Sequence, residues 1–335
     1  MASVRQIAAE AKVSPATVSR YFTGRESISP TLSNRIEEAL RRMGETAADR
    51  RPLKPVILIL LTHLRYSFFS RAVQELLEQA YSDRYTFLLV RYDPGYPEGT
   101  KGVVNRVHPA GVIYFEEEID AAILHYIQST GIRTVMCGGV AVEPNSQMIH
   151  VNDIRAAYDG TRYLLELGHR KILFLSDDIS KIGAGYQRIA GSRKAMEERG
   201  LQLPDEMVIC GSVTYESGYS AIQTALKKEL PFTAVFAFSD DLAMGAMAAL
   251  FDAGRRVPED VSVLGYDDLL LAQRIRPQLT TIHQPIDQFI RQALEFFSQE
   301  KPVLSAEVLL PYSIVERDSC KRCYPPETEH TGETK

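Results

Sequence analysis

The sequence predicts an α/β protein whose body is built on parallel sheets and whose N-terminus is a small all-α module. Two observations carry this. From Val56 onward, unbroken apolar runs of strand length alternate with longer segments of helical period, the pattern of parallel sheets covered on both faces. Residues 1–45 instead hold three short amphipathic patterns of helical period and no strand-like run. A length of 335 residues, with 45% hydrophobic and 24% charged, exceeds what one core usually holds and excludes fibrous and disordered classes. Charge divides along the same line. Residues 1–55 carry ten Lys/Arg against six Asp/Glu, whereas the remainder carries 28 against 37. A basic head on an acidic body suits a polyanion that the head meets and the body repels.

Ser3 and Gln6 have the spacing of a capping box, opening a helix whose apolar positions are Val4, Ile7, Ala8 and Ala11. Lys12, Val13 and Ser14 make a short turn. Ser14 stands as the next N-cap and Pro15 at the first helical position, where its missing N–H is no loss, so a second helix runs from about Pro15 to Phe22. Val13 and Val18 would face the first helix, leaving Pro15, Ala16, Thr17, Ser19 and Arg20 outward. In a helix-turn-helix this face enters the major groove, where an arginine can grip guanine O6 and N7 and small apolar groups meet a thymine methyl. A third helix over residues 29–43 closes the core with Leu32, Ile36, Ala39 and Leu40. The spacing alone also fits a small three-helix bundle with an incidental basic face.

The string VRQIAAEAKVSPATVSR closely resembles the DNA-binding headpiece of the lactose/galactose repressor family of bacterial transcription regulators. The resemblance implies that Pro15, Ala16 and Arg20 fall on base-reading positions and Ser14, Thr17 and Ser19 on or near phosphate contacts, with double-stranded operator DNA as the partner. Members usually continue into a Pro-Asn turn and a hinge helix that wedges a leucine into the minor groove. Here the linker is shorter, lacks the Pro-Asn pair and sets Pro52 and Pro55 on either side of Leu53, the one candidate wedge. A helix through Pro52 would cost ~3 kcal/mol. The expectation is therefore binding through the headpiece and the pair Arg50 and Arg51, with little DNA bending.

The body strands are expected at VILILLT from Val56, TFLLVRY from Thr86, AGVIYF from Ala110, TVMCGG from Thr134, KILFLS from Lys171, AVFAFS from Ala234 and VSVLGYDD from Val261, in one large sheet or two smaller ones. Ligands in such folds lie at the carboxyl ends of strands, and polar residues gather there: Thr62 and His63, Ser239 to Asp241, Asp267 and Asp268. Enzyme chemistry has no support. The first strand is not followed by GxGxxG, there is neither a GxxxxGK[ST] nor a GxSxG string, and the histidines show no HExxH or paired spacing. No catalytic residue, metal site or cofactor is expected.

Long stretches of the body also resemble the regulatory core of the same family: DGTRYLLELGHRKILFLS, YQRIAG, PFTAVFAFSDDLAMGAMAAL, GRRVPEDVSVLGYDD and PQLTTIHQP occur in the family's order. That core is similar to periplasmic sugar-binding proteins, with two α/β lobes joined by three crossovers and closing on a small molecule. The resemblance implies crossovers near Val151, Gln284 and Pro311, an effector contact at Arg188, a carboxylate at Asp267, and further contacts at Ser239 and Gln284. Aromatic rings suit the apolar face of a pyranose, which points to Tyr66 and Phe69 after the first strand. Each residue also has an ordinary use: Arg188 could pair with an acid of its own lobe, Asp267 could serve a turn, Phe69 could belong to the core, and Asp240 could cap the helix after Ser239.

The expected organisation is a headpiece over 1–45, an atypical linker over 46–55, a core over 56–318 and a disordered tail over 319–335. The N-lobe takes 56–151 and 285–310, the C-lobe 152–283 and 311–318. Cys137 and Cys210 are expected in buried strands. The CxxC of Cys320 and Cys323 is expected as incidental thiols of the tail, because structural zinc needs four ligands. No apolar run approaches the ~20 residues of a membrane span, and the start lacks a secretory pattern, so a cytoplasmic, membrane-free protein is expected. Without the leucine-heptad helix that makes some members tetramers, a homodimer is expected. Together these imply a repressor of carbohydrate-utilisation genes, released from its operator by a sugar or sugar-derived effector. The alternatives are a regulator needing a purine-like co-repressor or protein partner, and a sugar-binding transport component, the latter at odds with the basic head.

Overall fold

The computed structural model describes residues 2–23, 28–46, 54–62, 64–79, 84–115, 121–138, 146–180, 183–299 and 307–323. Contacts divide the chain into a small N-terminal unit, residues 1–55 with 84–86, and a large unit formed by the rest.

The N-terminal unit holds α1 (Val4–Ala11), α2 (Pro15–Thr23) and α3 (Pro30–Arg42). Local chemistry sets each start. Ser3 and Gln6 form the reciprocal capping box, and Ser29 caps α3 through the N–H of Leu32, with Pro30 at the first position. Lys12 turns the chain between α1 and α2 in the left-handed region, at φ 52°. Ile7, Ala8, Ala11, Val18, Ile36, Ala39 and Leu40 make the core, with Val13 packed at its edge. Val4, expected on the buried face, is exposed.

The large unit contains two six-stranded sheets. In chain order its elements are β1 (Val56–Leu61), α4 (Ser67–Gln79), β2 (Thr86–Arg91), α5 (Pro97–Val107), β3 (Gly111–Phe115), α6 (Ala121–Ser129), β4 (Arg133–Cys137), β5 (Ser146–Val151), α7 (Asp153–Glu166), β6 (Ile172–Ser176), α8 (Ala184–Glu197), β7 (Val208–Cys210), α9 (Tyr215–Lys227), β8 (Ala234–Ala237), α10 (Asp240–Asp252), β9 (Ser262–Asp267), β10 (Thr280–His283), α11 (Ile286–Ser298), β11 (Glu307–Leu310) and β12 (Ser313–Val315). The sheet orders are β11-β5-β4-β3-β1-β2 and β12-β10-β9-β8-β6-β7. The chain thus changes sheet after Val151, after His283 and after Leu310. Interior pairings such as β1 with β3 and β8 with β9 are parallel, as their fully apolar faces require, and β12 runs antiparallel to β10. Phe174, Phe236 and Phe238 centre the second lobe's core, with Phe236 and Phe238 edge-to-face at 5.0 Å. Helices α9 and α10 cross closely because Gly218 and Gly245 each lie against the other helix's backbone, where a Cβ would collide.

Five strands were not foreseen: β5, β7, β10, β11 and β12. Apart from β5 they are three or four residues long, too short to show a period, and β12 becomes a strand by pairing with β10, which itself extends the sheet from β9. Two cysteine expectations are corrected. Cys210 ends an edge strand and is exposed. The tail does not begin at 319 either: Ser319 is fully buried, donating to the Val263 carbonyl and accepting from the Thr280 N–H, and Cys320 packs against the second lobe's core. His169, itself buried, is bonded to Thr233, Ser262 and the Lys321 carbonyl, and the Cys323 N–H reaches the Leu167 carbonyl. Burial pushes the Cys320 thiol up to about 12, which leaves it unreactive.

Candidate functional site

On the N-terminal unit, α2 is fastened by its apolar side. Val18 is wholly buried, so the helix must turn the opposite residues out, and Ser14, Pro15, Ala16, Ser19 and Arg20 are exposed with Thr17 half-buried. Ser14 Oγ accepts the Thr17 N–H at 3.1 Å and meets Thr17 Oγ1 at 2.8 Å, fixing the first turn. Behind it, Arg35 of α3 donates to the Lys12 carbonyl at 2.6 Å and Tyr21 to Glu37 at 2.8 Å, holding the turn and the helix end. A short helix presenting small groups and one arginine from a rigid mount can enter a major groove. Arg50, Arg51 and Leu53 lie outside the described residues.

In the large unit, the carboxyl ends of β1, β8 and β9 and the crossover after His283 converge on one cavity of about 30 Å³. It is lined by all six expected residues, Tyr66, Phe69, Arg188, Ser239, Asp267 and Gln284, together with Ser67, Phe68, Gly138, Val213, Phe238 and Asp241. The first lobe supplies three rings, Tyr66 lying 6.0 Å from Phe69 and Phe68 5.7 Å from it, and the second lobe adds Phe238. Phe69 is also core, buried against Phe115. Polar groups come from the second lobe and the crossover.

Those polar groups bond one another. Arg188, on α8, donates to Asp153 Oδ1 at 2.8 Å and to the Phe238 carbonyl at 2.6 Å, and its guanidinium lies 3.8 Å from the centre of the Tyr266 ring. Tyr266 donates to the same Asp153 oxygen at 2.7 Å. Arg188 therefore pairs with a lobe acid and lines the cavity at once. Gln284 donates to Asp267 Oδ1 at 2.8 Å. Asp267 sits on strained backbone at φ 116° with Asp268 at φ 57° following, so it also serves a turn. Burial pushes the Asp267 carboxyl up to about 7, against the opposing pull of Arg188 and Gln284. Next door, burial works against ionisation of Asp268, but hydrogen bonds from His283 and Arg317 outweigh it and hold that carboxyl below its ordinary range.

The helix cap belongs to Ser239, whose Oγ accepts the Leu242 N–H, and not to Asp240. Asp240 is fully buried and accepts from the Leu269 N–H at 2.7 Å and from Thr281 Oγ1 at 2.6 Å, which pins the turn carrying Asp267. Burial first, then the nearby Asp267 charge, raises its carboxyl well above the carboxylate range. Reasoning from the residues missed Asp153, Tyr266 and Asp241. Asp241 was visible in the FSDD string, yet nothing local shows that its carboxylate accepts the Ser67 N–H across the cleft at 3.2 Å. Among the described residues there is no cluster fit to hold a metal ion, and no helix long and apolar enough to cross a membrane.

Comparison with known proteins covers both units. Residues 3–44 match the family described as bacterial regulatory proteins, lacI family, and residues 161–320 match a periplasmic binding protein-like domain. The chain is 30% identical over 296 residues to the HTH-type transcriptional repressor PurR of Klebsiella pneumoniae, covering 86% of each chain. It is 25% identical over 332 residues to catabolite control protein A of Priestia megaterium, covering 95% of this chain and 99% of that one. Against the ribose operon repressor of Escherichia coli K12 the identity is 28% over 311 residues, covering 88% and 92%. A solved transcriptional regulator CelR–cellobiose complex has the same fold, with a TM-score of 0.70 at 24% identity, covering 95% of this chain and all of that one.

Proposed function

The chain belongs to the lacI family of bacterial regulatory proteins, and from that premise we propose that it represses carbohydrate-utilisation genes from an operator that a small sugar or sugar-derived effector makes it release. The observation that carries the reading is the cleft. Two lobes close on rings from one side and a carboxylate, an amide and an arginine from the other, the mixture that hydroxyl-rich rings require. The catabolite control and ribose operon names among its relatives point the same way.

A cavity of about 30 Å³ has room for a water or two, at roughly 10–15 Å³ each, so a sugar enters as the lobes part. Closing on it would replace the Gln284–Asp267 bond with bonds to hydroxyls, and that exchange is the switch that operator affinity feels. On the DNA side, Ala16 and Arg20 read bases while Ser14, Thr17 and Ser19 position the helix on phosphates. Pro15 offers no hydrogen bond. A second copy would cover the second lobe's apolar face around Met244, Met247, Ile275 and Phe251, the last being 79% exposed. In such a cytoplasmic dimer two headpieces would meet two half-sites of the operator.

The test is fluorescence-anisotropy titration of a palindromic fragment from upstream of the gene, or of a neighbouring sugar operon, with a panel of mono- and disaccharides at fixed salt. Release by one sugar is the expected result. Tight binding that no sugar alters overturns the carbohydrate assignment in favour of a co-repressor or a protein partner.

A further inference from the structure

Three charged side chains among the described residues line the cavity: Arg188, Asp241 and Asp267. The single cation is already matched, because Arg188 faces Asp153 at 2.8 Å in a pair that is nearly fully buried on both sides. The lining is therefore neutral when Asp267 holds a proton and carries one negative charge when it does not, before Asp153 is counted. Nowhere in that range is there a surplus of positive charge for an incoming anion.

The backbone tells the same story independently. Helix N-termini receive phosphate and carboxylate groups because their first amides lack partners and the helix dipole favours negative charge. At two of the helix starts beside this cavity the chain itself takes that place. At α10 the Leu242 N–H is capped by Ser239, and the first turn carries Asp240 and Asp241. At the thirteen-residue α4 the first N–H, that of Ser67, is held by Asp241 from the opposite lobe. The chain's own carboxylate occupies the place where an anionic ligand group would be received.

Building on the sugar reading above, we infer that the effector of this cleft carries no negative charge, and that Asp241 is the specificity-determining residue that excludes phosphorylated and carboxylated sugars. An anionic group at the α4 N-terminus would have to displace Asp241 and then sit beside it. A neutral hydroxyl needs only to share the amide.

The experiment is calorimetric titration of the full chain and of two variants at constant ionic strength, using glucose against glucose 6-phosphate, ribose against ribose 5-phosphate, and inorganic phosphate alone. Asp241→Asn keeps an oxygen that can accept the Ser67 N–H and removes only the charge, whereas Asp241→Ala frees the amide as well. The neutral member of whichever pair binds is expected to bind the wild type at least about 30-fold more tightly than its phosphate. Asp241→Asn should narrow that gap by about tenfold or more, the readout being the ratio of the two affinities for each protein. Asp241→Ala should gain a phosphate-binding heat that the wild type lacks. A wild type that prefers the phosphorylated member, or a gap that neither variant alters, overturns the inference. If no sugar binds and Asp241→Ala still gains phosphate, the charge selection stands and the sugar reading beneath it falls. If none of the proteins responds to sugar and Asp241→Ala gains no phosphate, the inference is overturned as well.

Discussion

The exposed face of α2 and the cleft of the large unit treat polar side chains in opposite ways. On α2, Ser19 and Arg20 stand in solvent while Val18 anchors the helix from behind, so its partner can be met without rearrangement. In the cleft Arg188, Ser239, Asp267 and Gln284 are all less than 9% exposed and hydrogen-bonded within the protein. A ligand there gains only the difference between the bonds it makes and those it replaces, typically about 1 kcal/mol per hydrogen bond. Under the proposed function, the contrast separates a surface that reads from a site that changes state.

Removing the arginine at the centre of the cleft network tests that contrast hardest. Arg188→Met leaves Asp153 buried without its cation and is expected to lower the unfolding free energy by ~3–5 kcal/mol, measured by denaturant unfolding of the full chain. A loss below about 1 kcal/mol would mean that the cleft tolerates unpaired charge and differs little from the exposed face.

A second test sharpens the comparison through pH. An unfolded Asp267 ionises near its ordinary value of about 3.9, while the folded carboxyl keeps its proton to about 7 because of burial. Across that window the folded state binds more protons, so stability falls as pH rises, by at most about 1.4 kcal/mol per pH unit for this one group. Asp240, buried beside it and displaced in the same direction, adds to the slope, while Arg188 opposes it. Asp267→Asn should flatten the profile between pH 5 and pH 7 in denaturation experiments. An unchanged profile would mean that Asp267 does not set the slope, and would leave it to other buried groups such as Asp240. No comparable dependence is expected for operator binding by α2, whose outward face contains no carboxylate.

The smallest effect belongs to the reading surface. Arg20→Ala should weaken operator binding by ~1–3 kcal/mol and relax preference at one base pair, read from binding to the operator and to its single-base variants. An equal loss on random DNA would make Arg20 a phosphate contact and remove it from the base-reading set.

Legibility followed the range of the forces involved. The Ser3–Gln6 capping box, the Ser14 cap and the outward row on α2 could be read from the residues because each depends on neighbours within a turn. The apolar strands β1, β3, β6, β8 and β9 could be read because burial on both faces leaves an unbroken apolar run. The site was half legible. The resemblance to the family's regulatory core placed Arg188, Asp267 and Gln284 at the cleft, but their partners could not be named. Asp153 lies 35 residues from Arg188, Tyr266 lies 113 from Asp153, and Asp241 lies 174 from Ser67.

By itself, then, the sequence determined the helical head, the parallel α/β body, the charge asymmetry and the residue types available at the strand ends, since periodicity, capping and composition act over a few residues. Tertiary structure decided the rest. It made two sheets rather than one, gave the cap of α10 to Ser239 and sank Asp240 beneath the Asp267 turn. It folded Ser319 to Cys323 onto the second lobe and sent Asp241 across the cleft to Ser67. Each of these depends on which strands become neighbours and on the cost of leaving a buried polar group unpaired, and neither exists until the chain has closed on itself.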